Sequence, residues 1–354
     1  MPADRHGQNM EAMLPAQPPL LARIVSTLSD PCADVSSMAR GMAATPELSH
    51  AFVRLANTFG RRGRVSNAAD AILELGPRAS KQLVSCLAAK KHLSGISSHG
   101  LGLDEFWLSS LRRAFACHTI ASSLGIGNDL SMFSVGFHQD IGVLLRAQHD
   151  RAAAEAMTEL MDAPAQRRLR AERRRGTPHD ELGLAFCGSW GLSAEIAVPV
   201  RYHHEPRQAP SAFADAAMIA SAAESIADLA TTSDASPVLG LAEQALSNLN
   251  IHGLLPKLFD RVADYVDDTA EAFGIDAVPE PRFSEICERS QARMNAARRP
   301  TLANELAHIR HENEALREQL ARVSEELATV RRSYPPSGVM GIGVDSTRGR
   351  RQVP

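Results

Sequence analysis

The chain has 354 residues with a formal charge of −3, and its 44% hydrophobic and 22% charged composition is ordinary for a soluble globular protein of one large or two ordinary domains. That charge gives no global attraction to nucleic acid or anionic lipid, and no stretch reaches the ~20 apolar residues of a membrane span. Only 5% of residues are aromatic, Ala and Leu abound and β-branched runs are few, so an all-α fold is expected.

The five cysteines, Cys32, Cys86, Cys117, Cys187 and Cys287, are odd in number and never spaced as CxxC. They indicate neither a disulfide framework nor a zinc ribbon and suit a reducing cytoplasm. The N-terminus has no apolar targeting core, so a cytoplasmic protein is expected. Nothing in the composition asks for a cofactor.

Residues 1–17 are polar and proline-containing and predict a disordered arm. A run of short helices then follows. Leu20, Leu21, Ile24, Val25 and Leu28 recur at helical spacing, and Asp34 stands where an N-cap opens the next helix. Thr45-Pro46-Glu47 starts a third, with Phe52, Val53, Leu55 and Ala56 on its apolar face. Ser66 is the predicted cap of NAADAILELG, and Pro77 opens the helix through KQLVSCLAAK. Asn57, near the end of the third helix, is a candidate ligand contact, weighed against a helix-end amide that satisfies backbone groups.

A Gly/Ser/His loop at residues 97–102 separates this half from the next, where Phe106, Trp107, Leu111, Phe115 and Ile120 mark a longer helix. Phe133–Gly142, FSVGFHQDIG, has the shape of a metal motif, since an imidazole and a carboxylate are both good donors to a divalent cation. Beside Asp140, however, stands Gln139, whose neutral carboxamide is a weak donor. Between residues 166 and 176 come six arginines against one glutamate. Arg173, Arg174 and Arg175 are candidate phosphate contacts, because guanidinium forks match phosphate oxygens. No aromatic residues interleave to stack bases, so a solvated face is expected and nucleic-acid binding is not. Thr177-Pro178-His179-Asp180-Glu181 reads as a helix start with Thr177 as cap; Ser193 caps the next helix, which Pro206 stops after His203 and His204. A further helix carries Glu224, and Leu-rich helices run from Pro237 to Phe273.

Several of these pieces resemble one family. LANTF with AILELG, the Phe106-Trp107 opening, GFHQDIG, and the series Glu172, Gly176, His179, Trp190, Leu192, His203, His204 and Pro206 are similar to the HDOD module, a helical relative of the HD and HD-GYP metal-dependent phosphohydrolases. The resemblance implies a module over residues 18–275, with an N-terminal helical half at 18–95 and an HD-like half at 103–275. It implies that Asp140, His179, His203 and His204 converge in one cleft within reach of Glu172, with Glu224 where HD relatives place their last metal-binding acid. It also implies loss: Ser109 and Gln139 stand where catalytic relatives carry histidine ligands. The expectation is therefore a catalytically silent signalling module with no assigned metal; any ion would fall to Asp140, His179, His203 and His204. The alternatives are a metal-dependent phosphohydrolase or phosphodiesterase with a reduced ligand set, and a nucleotide or RNA binder.

Residues 276–300 are predicted as a linker, 301–332 as a coiled coil and 333–354 as a disordered tail. Leu302, Leu306, Ile309, Asn313, Leu316, Leu320, Val323, Leu327 and Val330 alternate four-three spacing. With Leu306, Asn313, Leu320 and Leu327 at a positions, Glu305, Glu312 and Glu326 fall opposite Arg310, Arg317 and Arg331 of a parallel partner. A lone Asn at an a position pairs best with its own symmetry mate, which favours an in-register homodimer. The family resemblance implies a further signalling partner, which nothing in the residues names, and a connection to cyclic-di-GMP-type signalling.

Overall fold

The computed structural model describes residues 12–60, 63–95, 99–126, 129–152, 155, 169, 171–174, 176–232, 234–276 and 278–333. Among them every regular element is a helix, as the composition led one to expect, and no helix is long and apolar enough to cross a membrane. The chain divides into two compact units, residues 1–291 and 292–354.

The N-terminal half holds α1 (Pro19–Ser29), α2 (Val35–Ala43), α3 (Pro46–Phe59), α4 (Ala68–Leu75) and α5 (Pro77–Leu93). Capping explains most of these starts. The Asp34 carboxylate accepts from Ser37 N at 2.6 Å, and three of the five helices carry proline in the first turn, where its missing N–H is not needed. The cap of α4 is Asn67 rather than Ser66: the helix begins one residue later than the sequence suggests, and the Asn67 amide oxygen accepts from Asp70 N at 2.9 Å. Thr45 and Ser193 precede their helices without making a side-chain cap bond.

The second half holds α6 (Leu103–Ser123), α7 (Asp129–His138), α8 (Ile141–His149), α9 (His179–Ser189), α10 (Ala194–Tyr202), α11 (Ala214–Thr231), α12 (Ala235–Asn248) and α13 (Leu255–Thr269). α6 is the central rod: its middle is buried on all sides, against α7, α11 and α13. Trp107 stacks on Phe137 at 5.6 Å and Phe115 meets Phe133 edge-on at 5.0 Å, so aromatic rings from α6 and α7 form the middle of the core.

Two predicted boundaries move. The end of the supposed arm is part of the fold, since Leu14 packs on the core and Trp190 Nε1 donates to the Pro15 carbonyl at 3.2 Å; residues 1–11 lie outside the described residues. The predicted linker is mostly structured. Glu280 is buried in a two-pronged bond with Arg112 (2.7 and 2.8 Å), Arg282 pairs with Asp264 at 2.7 Å, and α14 (Phe283–Ser333) begins there with Ile286 buried. α14 also runs through Pro300, where a new segment was expected to open. The predicted tail beyond Ser333 lies outside the described residues.

Two glycines govern how closely the helices of this half approach. On α7, a Cβ at Gly136 would strike the Arg113 carbonyl of α6. In the first turn of α8, a Cβ at Gly142 would strike the His179 carbonyl and lie 2.9 Å from His179 Cα, at the start of α9. The neighbour in both cases is backbone and cannot turn aside. Gly142→Ala is therefore expected to destabilise by about 3 kcal/mol, whereas Gly188→Ala in α9, where nothing among the described residues lies within 4 Å of the added Cβ, should be neutral or stabilising by about 0.5–1 kcal/mol. Urea denaturation of the two variants checks the contrast.

Candidate functional site

The close approach at Gly142 brings the α7–α8 junction onto the start of α9, and the functional side chains gather there. Asp140 is the residue before α8, and its carboxylate makes no cap bond to that helix. It points instead at two histidines: Asp140 Oδ1 lies 3.5 Å from His179 Nε2 and 3.5 Å from His203 Nε2. Gly183, whose Cβ would meet Val200 Cγ1 at 2.8 Å, lets α9 lie against α10 and brings in His203 and His204 from the end of that helix. His179 Nε2 is 3.3 Å from His203 Nε2 and 2.9 Å from His204 Nε2. All three rings are buried.

Each ring is held from behind through Nδ1. His179 Nδ1 faces the Glu172 carboxylate at 2.6 Å, His203 Nδ1 the Val200 carbonyl at 2.7 Å, and His204 Nδ1 the Glu224 carboxylate at 3.1 Å. Carboxylate and carbonyl oxygens only accept, so all three Nδ1 atoms carry the proton and all three Nε2 atoms face the common centre. Glu172 does a second job. The same oxygen accepts from His179 N at 2.9 Å, so the N-terminus of α9 is capped from seven residues upstream, and Thr177, the cap expected from sequence, is not needed. Arg146 of α8 in turn donates to the Thr177 carbonyl at 3.1 Å and fastens that approach loop.

Arg113 completes the cluster. Its Nη1 lies 3.2 Å from Asp140 Oδ2 and donates to Ser109 Oγ at 2.9 Å. A buried guanidinium thus stands between Ser109 and Asp140. Sequence reasoning missed it, although the spacing of four from Ser109 placed both on one face of α6. The charges answer one another. Burial pulls the His179 imidazole down, but the Glu172 carboxylate, with Asp140 behind it, outweighs burial and raises it to about 9. Burial holds His204 below the usual imidazole value despite Glu224. Burial would raise Asp140, but Arg113 and the two histidines hold it well below the usual carboxylate range.

Other singled-out residues lie apart. Gln139 is fully buried, outside the donor group, and its amide has no hydrogen-bond partner among the described residues. His138 turns its Nδ1 to the Ser134 carbonyl at 2.8 Å, and burial lowers it to about 4. Asn57 spends both ends of its amide on Val65 (2.7 and 3.0 Å), the backbone role weighed against ligand contact. Arg173 of the arginine cluster is engaged with Glu205 at 2.6 and 3.2 Å, Arg174 is exposed, and Arg175 lies outside the described residues.

A profile of the HDOD domain matches residues 14–206, more than half of the chain. The chain belongs to the HDOD domain family. No curated protein matches this HDOD protein significantly. Among solved structures, a Shewanella amazonensis protein named "putative phosphohydrolase" superposes with a TM-score of 0.60 at 22% identity, covering 77% of this chain and 98% of its own. An HDOD domain protein with unknown function from Geobacter sulfurreducens follows at 0.56 and 21%, covering 75% and 94%. A Marinobacter aquaeolei protein named "putative signal transduction protein" gives 0.53 and 17%, covering 76% of this chain and 60% of its own. At such identities the likeness carries the fold alone.

The resemblance to metal-dependent phosphohydrolases asks whether the cluster could hold an ion, and it passes a first test of fit. Asp140, His179, His203 and His204 each present one donor atom, all within 4.8 Å of one another. Nε2 atoms at 2.9 and 3.3 Å need a cation or a proton between them, since facing lone pairs repel. Arg113 holds the second oxygen of Asp140, so the fit is to one ion and not to a bridged pair.

Glu172→Ala removes both a helix cap and the partner of a buried imidazole, and should cost about 3–5 kcal/mol. Glu205→Ala, which removes one carboxylate partner of the exposed Arg173, should cost about 0–1 kcal/mol. Denaturation midpoints of the two variants test the difference.

Proposed function

We propose that this HDOD protein is a catalytically silent regulator that acts by protein contact, pairs through α14 as a parallel homodimer, and serves cyclic-di-GMP-type signalling as the family resemblance implies. Arg113 carries this reading. Metal-dependent hydrolysis of a phosphate ester needs an ion with an open position for water and a way to seat an anionic substrate. Here a guanidinium takes the side of Asp140 where a second ion would bridge, and Ser109, the neighbouring position, only accepts from that guanidinium. The adjoining cavity, of about 140 Å³, is lined by Glu105, Asp140, Glu172, Glu224 and Asp228 beside Arg113. That is below the ~300–1,000 Å³ of ordinary ligand pockets, and its carboxylates disfavour phosphate.

A second reading, a metal-dependent phosphohydrolase with a reduced ligand set, is favoured by the Asp140–His179–His203–His204 cluster itself. When bound, an ion there would supply an activated water or a polarised phosphoryl oxygen. Under the regulatory reading, protein supplied with Mn, Fe or Zn turns over neither cyclic dinucleotides nor phosphomonoesters. Turnover that disappears in Asp140→Ala establishes the hydrolase instead.

The dimer rests on α14. Leu306, Ile309, Leu316, Leu320, Val323, Leu327 and Val330 are each at least half exposed on the single chain, an apolar seam without a partner. A second copy answers it, because Glu305 and Glu312 would meet Arg310 and Arg317 across a parallel pair and Asn313 would meet itself. Asn313 Nδ2 here donates to the Ile309 carbonyl at 3.0 Å, which leaves its amide oxygen for a partner. Light scattering should find the full chain dimeric and the Leu316→Lys, Leu320→Lys double variant monomeric, with Asn313→Leu drifting toward trimers or tetramers. A double variant that stays a tight dimer would place the interface elsewhere.

A further inference from the structure

We infer that a cavity of about 550 Å³ between the end of α3 and α13 is a binding site for a small, hydroxyl-rich phosphate ester of the sugar phosphate class. It shares no lining residue with the cavity beside the Asp140 cluster. Its size falls within the ~300–1,000 Å³ of ordinary ligand sites. Its walls include Arg54 and Thr58 of α3, Arg64 of the loop that follows, and Tyr265, Asp268 and Thr269 of α13.

The two guanidiniums carry the argument, because their planar N–H forks match phosphate oxygens. Arg64 forms no hydrogen bond or ion pair with the described residues. Arg54 pairs through Nη1 with Glu271 at 2.9 Å, but that carboxylate is 83% exposed. A surface pair of this kind contributes about 0–1 kcal/mol and yields readily to a phosphate dianion. The loop that carries Arg64 is fixed in shape. Asn57 holds the N–H and carbonyl of Val65, the next residue, at 2.7 and 3.0 Å. At Gly60 a Cβ would lie 2.7 Å from the Ala56 carbonyl oxygen, so the chain leaves α3 by a path that a side chain would block.

The α13 side says what the phosphate is attached to. Asp268 repels a phosphate and accepts hydrogen bonds, and Thr269, whose proton goes to the Tyr265 carbonyl at 2.6 Å, has only lone pairs left to offer. Guanidinium donors on one wall and acceptors on the other fit an anionic head on a body that bears hydroxyl donors. A nucleobase fits less well. The Tyr265 ring stacks on Phe115 at 5.0 Å, and the Arg261 guanidinium lies over it at 5.5 Å while donating to its hydroxyl at 3.1 Å. The ring is thus already engaged and is a poor platform for stacking a base. The inference stands apart from the regulatory reading, which rests on Arg113 and α14 and on none of these residues.

Full-length protein is titrated calorimetrically with ribose 5-phosphate, glucose 6-phosphate, inorganic phosphate and adenosine monophosphate. At least one of the sugar phosphates should saturate at one equivalent and bind about tenfold or more tightly than inorganic phosphate. Arg54→Gln and Arg64→Gln should each weaken that binding about 10–100-fold, and Asp268→Ala should narrow the preference for the sugar phosphate over inorganic phosphate. Arg64 is exposed, so its variant decides alone should Arg54→Gln fail to fold. No saturable binding of either sugar phosphate, or binding unchanged in Arg64→Gln, would overturn the inference. Inorganic phosphate binding equally well, or adenosine monophosphate binding tightest, would overturn the ligand class. Hydrolysis at the Asp140 cluster, which would defeat the regulatory reading, is lost in Asp140→Ala and not in Arg64→Gln, so the two failures are told apart.

Discussion

The site depends on how closely α8 can lie against the start of α9. With Gly142 pressed on the His179 backbone, the carboxylate of Asp140 and the ring of His179 meet at 3.5 Å. Any side chain at that position would push the two segments apart, and the donor set would open. Gly136 does the same between α7 and α6 and carries Arg113 to Asp140; Gly183 does it between α9 and α10 and carries His203 and His204 inward. The chemistry of the cluster is thus set by three places where backbone touches a neighbouring element without a side chain between.

Charge compensation decides what that cluster can be. Buried ionic groups persist only when paired and hydrogen-bonded. Asp140 has Arg113 and two histidines, Glu172 has the ring and backbone N–H of His179, and Glu224 has His204. Each of these carboxylates has an ion-pair partner, and Arg113, the cation that would seat a phosphate, is already committed to Asp140, although Glu172 Oε1 is left without a hydrogen bond among the described residues. The same economy appears at the edge of the first unit, where Arg112 and Glu280 join residues 168 positions apart and draw the start of α14 into the core.

What the sequence revealed follows the range of the forces involved. Helical class, the seam of α14 and the proline starts of α1, α3 and α5 are local properties, written in spacing and in capping chemistry. The family resemblance brought together Asp140, His179, His203, His204, Glu172 and Glu224, which the structure places within one cluster. Arg113 escaped because its meaning depends on Asp140, 27 positions later, although its face of α6 could be read. The supposed linker was misjudged because Glu280 and Arg282 look like solvated charges until Arg112 and Asp264 are beside them. The cap of α4 slipped by one residue, since Ser66 and Asn67 are both good caps and only the start of the helix distinguishes them.

Two centres can be built from these residues: a closed one in which Arg113 stays on Asp140, and an open one in which metal ions share that carboxylate. A crystal structure of the full chain, with anomalous scattering recorded at a metal edge, tells them apart directly. The account predicts Arg113 on Asp140 Oδ2 and at most one ion, held by Asp140, His179, His203 and His204. Two ions bridged by Asp140, with water between them and Arg113 displaced, would contradict it.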